Sequence, residues 1–132
     1  MSNSDALEFH DSEVSSIGLD GRHFVVRFSA GYVRRSGETP GIDDGAGFLQ
    51  SLELTCLDPS EVDQEPGCSG GLCEGALYVG GAKLTLVPIP YETEAGIELD
   101  LTFANGSACR VVARGVALKP TGEARFVEWL KC

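Results

Sequence analysis

Apolar and polar residues alternate along much of this chain, and this pattern constrains the fold more than any other feature of the sequence. In the stretch HFVVRFSA, Phe24, Val26 and Phe28 fall on one side of an extended chain, while Arg27 and Ser29 fall on the other. Three later stretches alternate in the same way: SLELTC, GIELDLTFA and SACRVVARGV. A period of two is typical of β-strands with one buried and one solvated face.

Short turn signals separate these alternating stretches. Asp20-Gly21, Gly80-Gly81 and Asn105-Gly106 accept the positive φ angles that two-residue β-hairpins require. Alternation and turns together predict strands at residues 6–10, 13–19, 22–34, 47–57, 72–79, 82–88, 96–104 and 107–118. The final segment, EARFVEWLKC, fits either a short helix or a strand. We predict an all-β fold in one domain over residues 1–132, a single antiparallel β-sandwich or flattened barrel of about eight hairpin-connected strands.

The charge of the chain disfavours two classes of partner. Twenty acidic residues against ten basic ones give a formal net charge of -10, which argues against nucleic acid and anionic membranes. The N-terminal segment lacks the basic start and apolar run of a signal peptide, and no apolar stretch is long enough for a membrane span. Because the five cysteines are odd in number, we expect reduced thiols and a cytoplasmic location.

The stretch CSGGLC is the densest group of reactive side chains in the sequence. Zinc sites often use cysteine pairs about two to four residues apart, and Cys68 and Cys73 just meet that spacing. A second pair is missing, because Cys56 and Cys109 lie on the apolar side of their strands and Cys132 has no close partner in sequence. We interpret CSGGLC as a turn with two reduced thiols, and we predict no metal and no cofactor.

The segment EFHDSE places the residue types of a catalytic triad side by side. Neighbours on a regular strand point to opposite faces, so His10, Asp11 and Ser12 are not expected to assemble into a relay. We expect Asp11 and Ser12 to bond backbone groups at a turn between two strands, which leaves His10 as a candidate for ligand binding. The G-x-S-x-G nucleophile elbow is also absent, so an enzymatic function is disfavoured.

Arginines and aromatic residues supply the remaining candidates. Arg34 and Arg35 open the long connection RSGETPGIDDGA, and arginine forks suit carboxylate or phosphate groups. With Tyr32 and His10 they form the predicted binding set for a small anionic ligand. The alternative is that the arginines pair with acids across the solvated strand faces. Trp129 fits either an exposed patch or the core, and we favour the core.

Two acidic connections are long enough to be functional loops. Residues 35–46 and residues 58–71 are rich in glycine, proline and acidic side chains, which predicts irregular structure. Within the first of them, Asp43 and Asp44 lack the rest of a calcium-loop pattern, so we expect a solvated acidic loop there.

Several stretches resemble a known kind of protein: LEFHDSEVSSI, YVRRSGETPGIDDGAGF and IELDLTFANGS. They are similar to small bacterial protein families with an F-H-D-S opening, a strand that ends at an Arg-Ser-Gly loop, and β-hairpins thereafter. The resemblance covers most of the chain and implies an all-β fold. It carries no assigned activity and no catalytic residues.

Three functions remain open on the sequence alone. We favour a non-enzymatic, cytoplasmic binding or protein-interaction domain, which includes self-association through a sheet face or an edge strand. One alternative is a small β-barrel that binds an anionic ligand with Arg34 or Arg35. The other is an acidic inhibitor or immunity-type protein for a basic partner.

Overall fold

A computed structural model describes residues 4–36 and 45–130. Within these ranges the chain is all-β, as predicted, and it contains no helix that is long and apolar enough to cross a membrane. The strands, in chain order, are β1 (Asp5–Asp20), β2 (His23–Arg35), β3 (Gly45–Gln64), β4 (Gly70–Val79), β5 (Ala82–Leu84), β6 (Leu86–Pro88), β7 (Tyr91–Thr93), β8 (Ile97–Phe103), β9 (Ala108–Pro120) and β10 (Arg125–Leu130).

Six of the strands close into an antiparallel barrel. The order around the ring is β3-β2-β1-β4-β8-β9, and β9 then pairs with β3. The closing ladder is long, since it runs from Leu52 opposite Pro120 to Gln64 opposite Cys109. The sequence did not distinguish a sandwich from a barrel. Because this ladder joins β9 to β3, the sheet is a closed barrel. Each strand of the ring therefore has a neighbour on both sides.

The barrel interior is built from the apolar side of each strand. Leu54 of β3 lies opposite Val26 of β2 on one side and Leu118 of β9 on the other, and all three side chains are buried. The predicted inward position of Cys56 and Cys109 is confirmed, and burial raises the pKa of both thiols to about 12. Both cysteines therefore pack as small apolar residues, and the core continues across the seam between β3 and β9.

The strand boundaries depart from the sequence prediction where pairing overrides local composition. The predicted loop at 58–71 is reduced to residues 65–69, because β3 continues to Gln64 along the edge of β9 and β4 begins at Gly70. Proline is tolerated there because Pro59 lies at an irregularity in the ladder, next to Asp58, whose φ is 44°. The prediction for residues 37–44, including Asp43 and Asp44, lies outside the described residues, as does Cys132.

Two other differences concern single strands. The predicted strand at 82–88 is divided into β5, which pairs with β4, and β6, which pairs with β1. The ambiguous final segment is a strand, β10, rather than a helix. The hairpin between β4 and β5 turns at Gly80 and Gly81, which both have positive φ, as the turn prediction required.

One end of the barrel continues as an open sheet, which we call the extension. From Leu52 onward, one edge of β3 pairs with β9. Before Leu52 the same edge pairs with β10, with Leu49 opposite Arg125. At the same end, β6 adds to β1, with Leu7 opposite Val87. The extension thus has the order β10-β3-β2-β1-β6, and β10 is its outer strand.

Candidate functional site

The predicted ligand-binding residues divide between two surfaces of the extension. Arg34 and Arg35 are neighbours on β2, so they lie on opposite faces. Arg34 donates from Nη1 to Glu8 Oε1 at 3.2 Å, on the face that carries His10. On the other face, Arg35 donates from Nε and Nη2 to the two carboxylate oxygens of Asp5, at 2.8 and 3.0 Å. Each arginine already has a carboxylate partner, and the two belong to different surfaces.

The F-H-D-S motif forms a large β-bulge inside β1. Glu8 pairs with Tyr32 and Glu13 pairs with Ala30, so residues 9–12 of β1 lie opposite Gly31 alone. Asp11 adopts a left-handed backbone with φ of 71°. As a result His10 Nδ1 lies 3.3 Å from Asp11 Oδ2, and the expectation that these neighbours point apart is wrong. The sequence missed this because strict alternation holds only in a regular ladder.

The other two residues of the motif hold the bulge in place. Ser12 is buried, donates from Oγ to the Glu8 carbonyl at 2.6 Å, and accepts the backbone N–H of Tyr32 at 2.8 Å. Phe9 is also buried and lies against Gly75, where a Cβ atom would come within 2.8 Å of the Phe9 side chain. Ser12 therefore bonds backbone groups as predicted, but within one continuous strand rather than at a turn.

A cavity of about 570 Å³ lies beside the bulge. Its charged lining combines the basic side chains Arg34 and Lys83 with three acidic ones, and His10 lies at the same surface. The acidic side chains are Glu8, Glu74 and Asp100. Cys73 also lines the cavity and is exposed. The other cysteine of CSGGLC, Cys68, is buried and its thiol donates to the Ala108 carbonyl at 3.4 Å.

Potential metal ligands come together in one place among residues 4–36 and 45–130. The ligand atoms of Glu8, His10 and Asp11 all lie within 4.8 Å of one another, and no other group of three His, Cys, Asp or Glu side chains in those ranges does so. The sequence had directed attention to Cys68 and Cys73, which belong to no such group. The signal that was missed is the bulge, since it alone puts consecutive polar residues on one side.

Asp100 lies in the cavity wall and is partly buried. Its Oδ1 atom is buried and has no hydrogen-bond partner among the residues that the structure describes, whereas the neighbouring Glu98 accepts a hydrogen bond from Arg110. Burial, followed by the hydrogen bond with Glu98, raises the pKa of Asp100, while Arg110 lowers the pKa of Glu98. The ionised form of Asp100 is therefore disfavoured in the folded state.

We expect Asp100→Asn to be more stable than the wild type at neutral pH. A carboxyl whose pKa is raised by folding loses its stabilising contribution as pH rises from the unfolded pKa through the folded pKa. Asparagine has no charge to desolvate and keeps a donor for Glu98. The advantage should shrink as pH falls below the ordinary range of a carboxyl, and denaturant unfolding at several pH values measures it. A pH-independent difference would contradict this explanation.

The second surface is a row of aromatic side chains across the extension. The Arg35 guanidinium lies 4.3 Å from the ring centre of Phe48, and the ring centres of Phe48 and Phe126 are 5.8 Å apart. Phe126 and Trp129 follow at 5.0 Å. We call Phe48, Phe126 and Trp129 the aromatic row. Trp129 is 70% exposed and Phe126 is 51% exposed, so the favoured core position of Trp129 is wrong.

Tyr32 links β10 to the rest of the extension through a side-chain hydrogen bond. Its hydroxyl donates to Glu128 Oε2 at 2.6 Å and passes over Gly47, where any side chain would overlap the hydroxyl. Burial, followed by the hydrogen bond to Glu128, raises the pKa of Tyr32 to about 12, so the hydroxyl remains a donor at neutral pH. Tyr32 thus links β2 to β10. Sequence patterns do not reveal this contact, because Tyr32 and Glu128 lie far apart along the chain.

Comparison of this chain with known protein families, with curated proteins and with solved structures found no match.

Proposed function

We propose that this chain is a non-enzymatic interaction domain that associates with a second copy of itself along β10. The observation that carries the proposal is the outer edge of β10 together with the exposed aromatic row. An exposed strand edge offers backbone donors and acceptors to another strand. Exposed, contiguous aromatic side chains such as Phe126 and Trp129 are typical of protein-interaction surfaces.

The sequence of β10 favours a second copy as the partner. A bulge at Val127 places an extra residue opposite Phe48, so Arg125 and Glu128 pair with Leu49 and Gly47 on the same face of the sheet. If two β10 strands pair antiparallel about an axis between Phe126 and Val127, each Arg125 lies opposite Glu128 of the other copy. Each Phe126 then lies opposite Val127 of the other copy.

The charges in this arrangement are complementary and available. Arg125 is exposed and forms no salt bridge with any described residue. Glu128 uses Oε2 for Tyr32, which leaves Oε1 for an arginine. Opposite charges directly across two strands stabilise pairing, and like charges destabilise it. The dimer therefore gains two Arg–Glu pairs as well as apolar contacts, while the small area of a single strand pair predicts a weak, transient dimer.

A charge-swap experiment tests this arrangement. Arg125→Glu alone puts acidic side chains opposite each other, and Glu128→Arg alone puts basic side chains opposite each other. We expect each variant to dimerise at least about tenfold more weakly than the wild type, because opposite-charge pairs become like-charge pairs. An equimolar mixture of the two variants restores both Arg–Glu pairs, so it should form a heterodimer. Sedimentation velocity across a concentration series measures all three.

Two controls complete the experiment. Arg27→Glu lowers the net charge by as much as Arg125→Glu does. Because Arg27 lies on a barrel strand, this variant should leave dimerisation unchanged. Trp129 is the only tryptophan in the chain, so its emission should shift to shorter wavelength as the concentration of wild-type protein rises. A wild type that remains monomeric throughout, or a mixture that associates no better than its components, would refute the proposal.

A further inference from the structure

We propose that Glu8, His10 and Asp11 bind one divalent transition-metal ion at the bulge of β1. The three side chains supply one imidazole nitrogen and two carboxylate groups, with all ligand atoms within 4.8 Å of one another. The three side chains belong to β1, which β2 and β3 separate from β10, so the inference is independent of the proposed dimer.

The separations of the side chains suit a metal after a small adjustment. Bond lengths of about 2.0–2.2 Å in a tetrahedral site place neighbouring ligand atoms about 3.4 Å apart. His10 Nδ1 and Asp11 Oδ2 already lie 3.3 Å apart. Glu8 completes the set if its carboxylate turns from Arg34, whose hydrogen bond to it is exposed and 3.2 Å long. Exposed ion pairs contribute little stability, so the cost of this exchange is small.

The backbone that carries these ligands is held by buried groups. Ser12 bonds to the Glu8 carbonyl and to the Tyr32 amide, and Phe9 is buried against Gly75. These contacts lie on both sides of His10 and Asp11 in sequence and keep the bulge in its shape. A ligand set whose backbone is held in advance loses less conformational entropy when it binds an ion.

The donor set indicates the class of ion. Imidazole suits Zn²⁺, Co²⁺, Ni²⁺ and Fe²⁺, and carboxylates are compatible with all of them, whereas Ca²⁺ takes oxygen ligands and more of them. Three protein ligands leave at least one coordination position for water or an anion. Glu8 and His10 also line the cavity, so the open coordination position would border a space that carries both basic and acidic side chains.

Titration of the untagged, metal-free chain with Co²⁺ tests the proposal, with isothermal calorimetry and visible absorption as readouts. We expect one equivalent to bind, and His10→Ala to weaken binding at least about tenfold. His23→Ala removes the only other histidine and should bind as the wild type does. Cys73→Ser should also bind normally, and the spectrum should lack a thiolate charge-transfer band, because the cysteine on the cavity is not a ligand.

Further variants separate a metal site from a change in folding. Asp11→Asn keeps the size of the side chain but removes a carboxylate, so it should weaken Co²⁺ binding while the unfolding transition without metal stays cooperative. Co²⁺ should raise the Tm of the wild type but not that of His10→Ala, since only a ligand bound to the folded state stabilises it. Equal Co²⁺ affinity in wild type and His10→Ala, a thiolate band, or no binding to the wild type would overturn the proposal.

Discussion

Leu54→Ala is expected to lower the free energy of unfolding by about 2–5 kcal/mol, the usual cost of removing a fully buried leucine side chain. Leu54 lies at the centre of the barrel, opposite Val26 on one side and Leu118 on the other. The cavity left by alanine is bordered by two paired strands that belong to a closed ring, so these strands cannot easily move together to fill it. Denaturant unfolding under reducing conditions measures the change.

A matched substitution tests whether burial is the cause. Leu19 is 68% exposed near the end of β1, and Leu19→Ala should change the free energy of unfolding by no more than about 0.5 kcal/mol. Both proteins should be compared at concentrations where the wild type is monomeric, so that dimerisation does not contribute. If the two variants were equally stable, the assignment of Leu54 to the core of a closed barrel would be wrong.

Ser12→Ala is expected to cost about 1–3 kcal/mol, which is large for the loss of one hydroxyl group. Ser12 is buried, and its removal leaves the Tyr32 amide and the Glu8 carbonyl without this partner at the bulge. A buried donor without a partner costs more than an ordinary hydrogen bond contributes, because water cannot replace the lost group. Unfolding by denaturant gives the free energy of unfolding, and amide exchange at Tyr32 should become faster.

Ser15→Ala provides the control for this effect. Ser15 lies three residues further along β1, is exposed, and donates from its hydroxyl to the Arg27 carbonyl at 3.1 Å. Water can replace that hydroxyl, so Ser15→Ala should change the free energy of unfolding by no more than about 0.5 kcal/mol. Equal effects of the two substitutions would show that Ser12 is not needed to hold the bulge.

The sequence predicted the fold class well because alternation reports directly on which side of a strand is buried. The inward positions of Phe24, Val26 and Phe28, and of Cys56 and Cys109, all follow from it. Closure of the barrel did not follow, because it depends on the pairing of β3 with β9, and a strand sequence does not identify its neighbours. Pro59 misled the prediction because a proline is tolerated at an irregularity of the ladder, which local composition does not reveal.

The candidate sites were predicted less well, because both lie at β-bulges, one in β1 and one in β10. His10 was identified, but its contact with Asp11 exists only because four residues of β1 lie opposite one residue of β2. In β10, the bulge at Val127 puts Arg125 and Glu128 on one face, which regular alternation would exclude. The sequence pattern carries the average geometry of a strand, whereas both proposed sites arise where that geometry is interrupted.

The way in which β10 joins the molecule has a consequence for local opening. Every strand of the ring is held by neighbours on both sides, so none of them detaches without breaking two ladders. By contrast, β10 is held by β3 on one side and by the Tyr32 hydroxyl bond. Like the short strands β5, β6 and β7, which also pair on one side only, β10 can therefore separate while the ring stays intact. Folding of the barrel and ordering of β10, the edge proposed for self-association, are thus expected to be two separable events, and the second can be altered by changes in β10 that leave the first unaffected.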